Sequence, residues 1–193
     1  MWPEVLTPPE AQRRQLLAAG VAAPFAAALL AAITPVLEAA QAGSSLQGAP
    51  VLSTLDGTPI HLDRYLGRAL LLNLWATWCA PCVAEMPSLQ ALRAAHGPGG
   101  SGKLEVIAVN AGQSVNQVEG FLHELRLRLP IVMDPQKLTF ARWRVRVLPT
   151  TLLFDADGTL RATFVGERDW TSPRALFEID AALRPLPANR ASA

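Results

Sequence analysis

The chain has 193 residues, 50% of them hydrophobic, and a formal net charge of +1 at pH 7. Near-neutral charge without a basic stripe gives no electrostatic case for binding nucleic acid. Two cysteines are too few for a disulfide framework. About 150 residues follow the N-terminal segment, which is enough for one domain with its own core.

The N-terminal segment, residues 1–42, predicts a membrane anchor or a secretion signal. Residues 16–37 carry no charge and follow Arg13 and Arg14. That length is about what a membrane helix needs, and the arginines should stay in the cytoplasm. A retained anchor would tether the domain on the periplasmic side of the inner membrane. Cleavage at the A-x-A signal ending at Ala42 would instead release a soluble periplasmic protein.

The rest of the chain divides into a linker, one domain and a tail. Residues 43–48 are rich in glycine and serine, which favours a flexible linker. Residues 49–184 predict the globular domain, and residues 185–193 a frayed tail.

Apolar runs and turn residues predict the elements of this domain in chain order. They are strands at 50–53 and 59–62, a helical turn at 63–67, strand 69–75, a helix to about Ala95, strand 103–110, helix 114–127, strand 130–133, helix 135–143, strands 148–154 and 160–165, and helix 172–183. This order predicts an α/β domain, with a mixed sheet and helices on both faces.

The cysteines, Cys79 and Cys82, lie where the strand 69–75 turns into a helix. Cys79 should lie near the free N–H groups and positive dipole end of the helix, and both favour a thiolate. Pro81 fits an early helix position, where its missing N–H costs nothing. Cys82, one turn further in, should be more buried and suited to resolving a mixed disulfide. The pattern favours a redox pair.

Two other roles for the cysteines fit the sequence less well. A structural disulfide across so short a loop would restrain the unfolded chain little. A zinc site needs about four ligands, and the chain has no second cysteine pair and only scattered histidines. The metal site remains the minor alternative.

A second informative stretch runs from Leu148 to Phe154. Pro149 heads an apolar strand, where its lack of an N–H suits a strand start. The Leu148–Pro149 bond is also a candidate for the cis form, which proteins keep in special turns.

These stretches carry a family resemblance. The segment W-A-T-W-C-A-P-C at 75–82, followed by E-M-P at 85–87, resembles the active-site signature of thioredoxin-fold proteins of the TlpA/ResA/CcmG type. Leu148-Pro149-Thr150 resembles the cis-proline loop of that fold, and residues 166–170 resemble a TlpA-type segment. The resemblance covers roughly residues 49–184. It implies a thioredoxin-like fold with an N-terminal β-hairpin and a central αβ insertion at 114–133.

The resemblance also implies roles for single residues. Cys79 would be the solvent-facing, attacking thiolate, and Cys82 the resolving thiol. Pro149 would lie against the cysteine pair, with Leu148 and Thr150 offering backbone hydrogen bonds to an extended client.

Further groups complete the implied site. Trp78 and Pro81 would form its client-facing rim, whereas Trp75 is expected in the core. No cofactor is implied beyond the Cys79–Cys82 disulfide.

One departure from cytosolic thioredoxins concerns the buried proton acceptor. Those proteins carry an aspartate six positions before the first cysteine, where this chain has Asn73. Glu85, one helical turn past Cys82, is the candidate substitute. If Glu85 is partly buried near the pair, its pKa should rise and it could take the proton of Cys82; the alternative is an exposed helix carboxylate. Asn73 is expected to be a buried amide satisfied by its neighbours.

The expected function is that of a membrane-tethered periplasmic thiol–disulfide oxidoreductase. Family resemblance suggests that it reduces apocytochrome c, or a copper-delivery protein, and that a membrane electron donor recharges it. The uncharged Ala-Pro dipeptide favours a reductant over an oxidant. The alternative is a copper-binding chaperone that uses Cys79, Cys82 and Met86, because soft thiolates suit Cu(I).

Overall fold

The computed structural model describes residues 45–184 of the chain. The predicted anchor with its cleavage site and the predicted tail lie outside the described residues. Among the residues that are described, no helix has the length and apolar character needed to cross a membrane.

Residues 45–184 form seven strands and four α-helices. The strands are β1 (Leu52–Thr54), β2 (Pro59–Ile60), β3 (Ala69–Trp75), β4 (Leu104–Ala111), β5 (Ile131–Asp134), β6 (Thr150–Phe154) and β7 (Leu160–Val165). The helices are α1 (Ala80–His96), α2 (Val115–Leu125), α3 (Leu138–Trp143) and α4 (Pro173–Leu183), with a 3₁₀ turn at Leu62–Tyr65.

The strands form one sheet in the order β2-β1-β5-β4-β3-β6-β7. β3, β4 and β5 are parallel, whereas β1, β2, β6 and β7 pair antiparallel with their neighbours. The predicted mixed sheet and N-terminal hairpin are therefore confirmed. α2 and β5 form the predicted αβ insertion.

β3 is central, and all seven of its residues are buried. Its side chains alternate between two cores: Leu71 and Trp75 face the core formed with α1, α2 and α4, whereas Leu70, Leu72 and Leu74 face the core that contains Trp143 of α3. A strand covered on both faces needs apolar residues at every position, which explains the unbroken run seen in the sequence.

The segment before β1 corrects one expectation. Leu46 is 1% exposed and packs in the core on the α3 side of the sheet. Its N–H donates to the carbonyl of Gly158 (2.8 Å), and Arg142 donates to the carbonyl of Gln47 (2.6 Å). Because an apolar side chain anchors it, the described part of the predicted linker is packed against the domain rather than flexible.

Several element boundaries shift by one to three residues from the predicted ones. The largest shift is at α3, which begins at Leu138 rather than at 135. The Asp134 carboxylate accepts from the backbone N–H groups of Leu138 (2.8 Å) and Thr139 (2.9 Å), and so caps the helix from outside. The predicted helix starts at Ser114 and Ser172 are confirmed by their capping hydrogen bonds.

Candidate active site

The two cysteines form a disulfide at the N-terminus of α1. Cys79 is the N-cap residue, Pro81 lies in the first turn, and the two Cα atoms are 5.2 Å apart. Cys82 is fully buried, and Cys79 is only 6% exposed. Cys79 is thus less solvent-facing than expected, because the core on the α1 side closes over most of it.

The exposed rim of the site is made by neighbours of the cysteines. Trp78 is 69% exposed, and Pro81 is exposed as well. Trp75, three residues earlier, is fully buried, and its ring centre lies 5.7 Å from that of Phe121 of α2, as expected for a core aromatic. The two tryptophans therefore have different surroundings, and only Trp78 is available to a partner.

The Leu148–Pro149 peptide bond is cis, as the sequence allowed. Pro149 directly precedes β6, whose first residue, Thr150, pairs with Leu74 near the end of β3. The proline loop therefore lies at the same sheet edge as the turn that carries Cys79. Leu148 is half-buried and packs against the core that contains both cysteines.

The backbone groups of the proline loop differ in how far the fold already engages them. The Pro149 carbonyl accepts from the Gly166 N–H (2.9 Å), and Thr150 lies within the sheet between β3 and β7. Both residues thus already take part in backbone contacts within the fold. Within residues 45–184, the N–H and C=O of Leu148 have no hydrogen-bond partner, which leaves Leu148 as the loop's available backbone group.

Glu85 is 1% exposed and accepts three hydrogen bonds, which we call the carboxylate network. Asn73 Nδ2 donates to its Oε1 (2.6 Å), and the Arg168 N–H (3.2 Å) and Trp170 Nε1 (3.0 Å) donate to its Oε2. Burial raises the pKa of Glu85, and the three hydrogen bonds oppose that rise without cancelling it. The structure therefore meets the condition of burial, and the pKa of Glu85 is raised as expected under it.

Asn73 lies on β3, two residues before the strand ends and the turn to Cys79 begins. Its Nδ2 also donates to Thr151 Oγ1 (2.9 Å), but its Oδ1 is buried without a partner among the described residues. The expectation of a satisfied amide therefore holds for the nitrogen and is wrong for the oxygen.

The segment after β7 closes over this side of α1. Arg168 and Trp170 contribute to the carboxylate network, and the Trp170 N–H donates to Ser88 Oγ of α1 (3.1 Å). The Arg168 side chain pairs with Glu178 of α4 and lies 4.6 Å from the centre of the Phe164 ring. The segment that the sequence linked to the family thus has a structural purpose: it fixes the buried carboxylate.

A second network, which sequence reasoning missed, holds the turn before Cys79; we call it the turn network. Gln113 Oε1 accepts from the Thr77 N–H (2.7 Å) and from Asn110 Nδ2 (3.0 Å). Gln113 Nε2 donates to Thr77 Oγ1 (2.7 Å). Both side chains are buried, that of Asn110 near the end of β4 and that of Gln113 two residues after the strand. A polar residue closing a buried strand was the only available signal.

This arrangement suits reversible bonding between two sulfur atoms. If the disulfide is reduced, Cys79 lies at the N-cap, where unpaired N–H groups and the helix dipole favour its thiolate. Glu85 lies on α1 one turn after Cys82 and has a raised pKa, as a proton acceptor needs. In the described range, no group of three or more histidine, cysteine or acidic side chains could hold a metal ion.

Known proteins resemble this chain in sequence and in structure. It is 38% identical over 116 residues to the thiol-disulfide oxidoreductase ResA of Geobacillus thermodenitrificans, a match that covers 60% of this chain and 65% of the relative. A Chlorobium tepidum structure, described as a thiol:disulfide interchange protein DsbE, superposes with a TM-score of 0.62 at 27% identity, covering 70% of this chain and 95% of that one. StoA from Bacillus subtilis gives a TM-score of 0.56 at 25% identity, over 68% and 95%.

These likenesses confirm the thioredoxin-like fold that the sequence indicated. The sequence model of the AhpC/TSA family matches residues 45–163, which include β1–β6, the cysteine pair and the cis-proline loop. On this evidence the chain belongs to the thioredoxin-like AhpC/TSA family.

Proposed function

We propose that this protein is a thiol–disulfide oxidoreductase that reduces a client through Cys79 and Cys82. The observation that carries the proposal is the bonded cysteine pair at the start of α1, on the sheet edge where cis-Pro149 lies. The relative named ResA supports it, although the match spans only 65% of that relative's length.

The reaction exchanges one disulfide for another. The Cys79 thiolate attacks a sulfur of the client disulfide, forming a Cys79–client bond and releasing the other client sulfur as a thiolate, which takes up a proton. The Cys82 thiolate then attacks Cys79, closes the internal disulfide and releases the second client thiolate, which is also protonated. Two electrons and two protons pass from the protein to the client.

Glu85 handles the proton of Cys82 in this scheme. Cys82 is fully buried, so its proton needs an acceptor inside the protein. Glu85 is the buried carboxylate on the same helix, and its raised pKa brings it nearer to that of a thiol.

The direction of electron flow is inferred from the dipeptide between the cysteines, and the client class from the family. Ala80 and Pro81 bring no charge that would stabilise the thiolate strongly, which favours a reductant. We propose that the clients are cysteines of an apocytochrome c or of a copper-delivery protein in the periplasm. The compartment is oxidising, so a membrane electron donor would recharge the protein, and residues 16–37 would tether it.

Two serine variants test the proposal against a peptide with one internal disulfide. Reduced wild-type protein is expected to convert the peptide to its dithiol with a matching loss of protein thiols. Cys82→Ser should accumulate a Cys79–peptide mixed disulfide, detected by mass spectrometry, and Cys79→Ser should be inert. A Cys79→Ser variant as active as the wild type would refute the assignment.

The copper-chaperone alternative gains no support from the position of Met86. This residue is fully buried in the core of α1, so it could ligate copper only after that core opens. Anaerobic Cu(I) titration of the reduced protein, with Cys79→Ser as control, distinguishes the two. Tight stoichiometric binding that depends on Cys79 would favour the chaperone.

A further inference from the structure

The segment that joins β5 to β6 is strongly basic. Residues 135–149, which we call the basic segment, contain Lys137, Arg142, Arg144 and Arg146 and no aspartate or glutamate. The whole chain carries a formal charge of only +1, so this concentration of positive charge is local.

The end of the basic segment lies beside the cysteine pair. Arg146 and Val147 immediately precede the cis-proline loop, at the sheet edge where the turn carrying Trp78 and Cys79 also lies. Val147 is 52% exposed and Trp78 is 69% exposed. Two apolar side chains are thus presented to solvent at the sheet edge that carries the cysteine pair.

The charges of Arg144 and Arg146 have no partner among the described residues. Both are exposed, and within residues 45–184 neither makes an ion pair or a side-chain hydrogen bond. Arg142 differs, because it donates to the carbonyls of Ser45 and Gln47 and so holds the segment before β1.

The acidic groups at this edge do not neutralise the two arginines. Asp134 is buried and caps α3. Glu167 and Asp169 follow β7, on the far side of β6 from β3, and Asp169 accepts hydrogen bonds from Thr171 within its own loop. The segment after β7 also contains Arg168, and no ion pair of the described residues joins an acidic group to Arg144 or Arg146.

We propose that the client segment carries acidic residues next to an apolar residue and its reactive cysteine, and that Arg144 and Arg146 recognise that acidic character. The inference rests on the proposed function and names its substrate class. An apolar client residue would cover Trp78 and Val147, while its carboxylates approach the two arginines. Complementary charge of this kind raises the rate of encounter more than the strength of the final complex.

The chain offers a closely matched control pair, Arg126 and Arg128. Both are exposed, and Arg126 is the C-cap residue of α2 at φ 52°, as Arg144 is the C-cap residue of α3 at φ 54°. This pair precedes β5, which runs parallel to β3, so it lies at the sheet edge opposite the cysteines. Arg126→Glu/Arg128→Glu changes the net charge as much as Arg144→Glu/Arg146→Glu does, but away from the site.

Three synthetic peptides serve as probes. Each contains one internal disulfide next to an apolar residue, and they differ only in flanking residues, which are glutamate, glutamine or lysine. The rate at which the reduced protein converts each to its dithiol is measured at low and at high salt. The reduction potential of each variant is measured as well. Charge recognition should change the rate of peptide reduction and leave the reduction potential unchanged.

Wild-type protein is expected to reduce the glutamate peptide about tenfold faster than the lysine peptide at low salt. High salt should shrink the difference, because the charges are exposed. Arg144→Glu/Arg146→Glu should reverse the order, whereas Arg126→Glu/Arg128→Glu should keep it.

Equal rates for the three peptides, or the same preference in both charge-reversed variants, would overturn the inference while leaving the oxidoreductase function intact. Failure to reduce even the glutamine peptide would overturn the function itself. Binding to phosphatidylglycerol vesicles that depends on Arg144 and Arg146, with no peptide preference, would assign the arginines to a lipid surface instead.

Discussion

Two polar networks hold the cysteine pair in place, and they differ in charge. The turn network, formed by Thr77, Asn110 and Gln113, contains only amides, a hydroxyl and a backbone N–H. The carboxylate network places Glu85 among donors from Asn73, Arg168 and Trp170. The first ties the turn before Cys79 to β4; the second ties α1 to β3 and to the segment after β7.

This difference in charge gives the two networks different tasks, which are positioning Cys79 and transferring a proton. Neutral groups hold the same hydrogen bonds at every ordinary pH, so the turn network can fix the position of Cys79 but cannot exchange a proton. The carboxylate network can do so, at the cost of burying a group whose charge is disfavoured there. Variants at Asn73, Glu85, Gln113 and Trp170 can test whether position and proton transfer are divided in this way.

Asn73→Asp should have the largest effect, because it replaces a donor 2.6 Å from Glu85 with a second carboxyl group. Two carboxylates this close cannot both ionise, so one pKa is raised strongly. We expect a loss of about 3 kcal/mol in the free energy of unfolding at neutral pH.

The stability of Asn73→Asp should depend on pH, and the sign of that dependence follows from the raised carboxyl pKa. Stability should approach that of the wild type below the ordinary carboxyl pKa of about 4, and be lost as pH rises through the higher folded value. Urea unfolding at acidic and neutral pH measures this. Asn110→Asp is the control, since it puts a single carboxyl group in the turn network; an equal pH-dependent loss there would contradict the comparison.

Glu85→Gln should have the next largest effect. With the Asn73 amide oriented as it is, the NH₂ group of the new amide meets a donor whichever way it faces, which costs about 2 kcal/mol of stability. Turnover of a peptide disulfide should fall about a hundredfold, because Cys82 loses its proton acceptor. The pH dependence of alkylation at Cys82 measures the thiol pKa. If neither that pKa nor turnover changes, Glu85 has no part in proton transfer.

Gln113→Ala should change the position of Cys79 without affecting proton transfer. It removes both hydrogen bonds to Thr77 and leaves Asn110 Nδ2 unpaired, for a loss of about 1–2 kcal/mol. Turnover should fall about tenfold through misplacement of Cys79, by the same factor at every pH.

Gln113→Glu is the matched variant for this position. It keeps the acceptors, and the Thr77 hydroxyl can turn to donate to the new carboxylate, so stability should be largely retained. Its added negative charge should raise the pKa of the Cys79 thiol. The account of the turn network fails if Gln113→Ala, which adds no charge, shifts the pH profile.

Trp170→Phe should have the smallest effect. The ring can still pack against Phe164, but one donor to Glu85 is lost. We expect a cost of about 1 kcal/mol and a further rise in the Glu85 pKa, which moves the pH profile of turnover to higher pH. Trp143→Phe is the control, because Trp143 Nε1 is buried without a partner in the described range. A similar pH shift in that variant would contradict the assignment.

The sequence predicted what depends on neighbouring residues. The cysteine pair at a strand–helix turn, the cis bond before Pro149 and the caps at Ser114 and Ser172 each follow from a few adjacent positions. The place of Glu85 one helical turn past Cys82 made it the candidate carboxylate, and the structure decides for burial over the exposed alternative.

What the sequence did not predict depends on distant contacts. Gln113 is 36 residues from Thr77, and Trp170 is 85 residues from Glu85, so neither bond leaves a local pattern. Leu46 was missed because one apolar residue among glycine and serine favours a linker, although it fills the core near Trp143. These contacts depend on the sheet topology and cannot be predicted from any single segment of the sequence.

The most direct test is a redox titration of the native protein, with thiols counted by alkylation and mass and the fold followed by circular dichroism. The account predicts that Cys79 and Cys82 are reduced together in one two-electron step while the fold persists. A disulfide that yields only when the protein unfolds would contradict it, because the pair would then be structural.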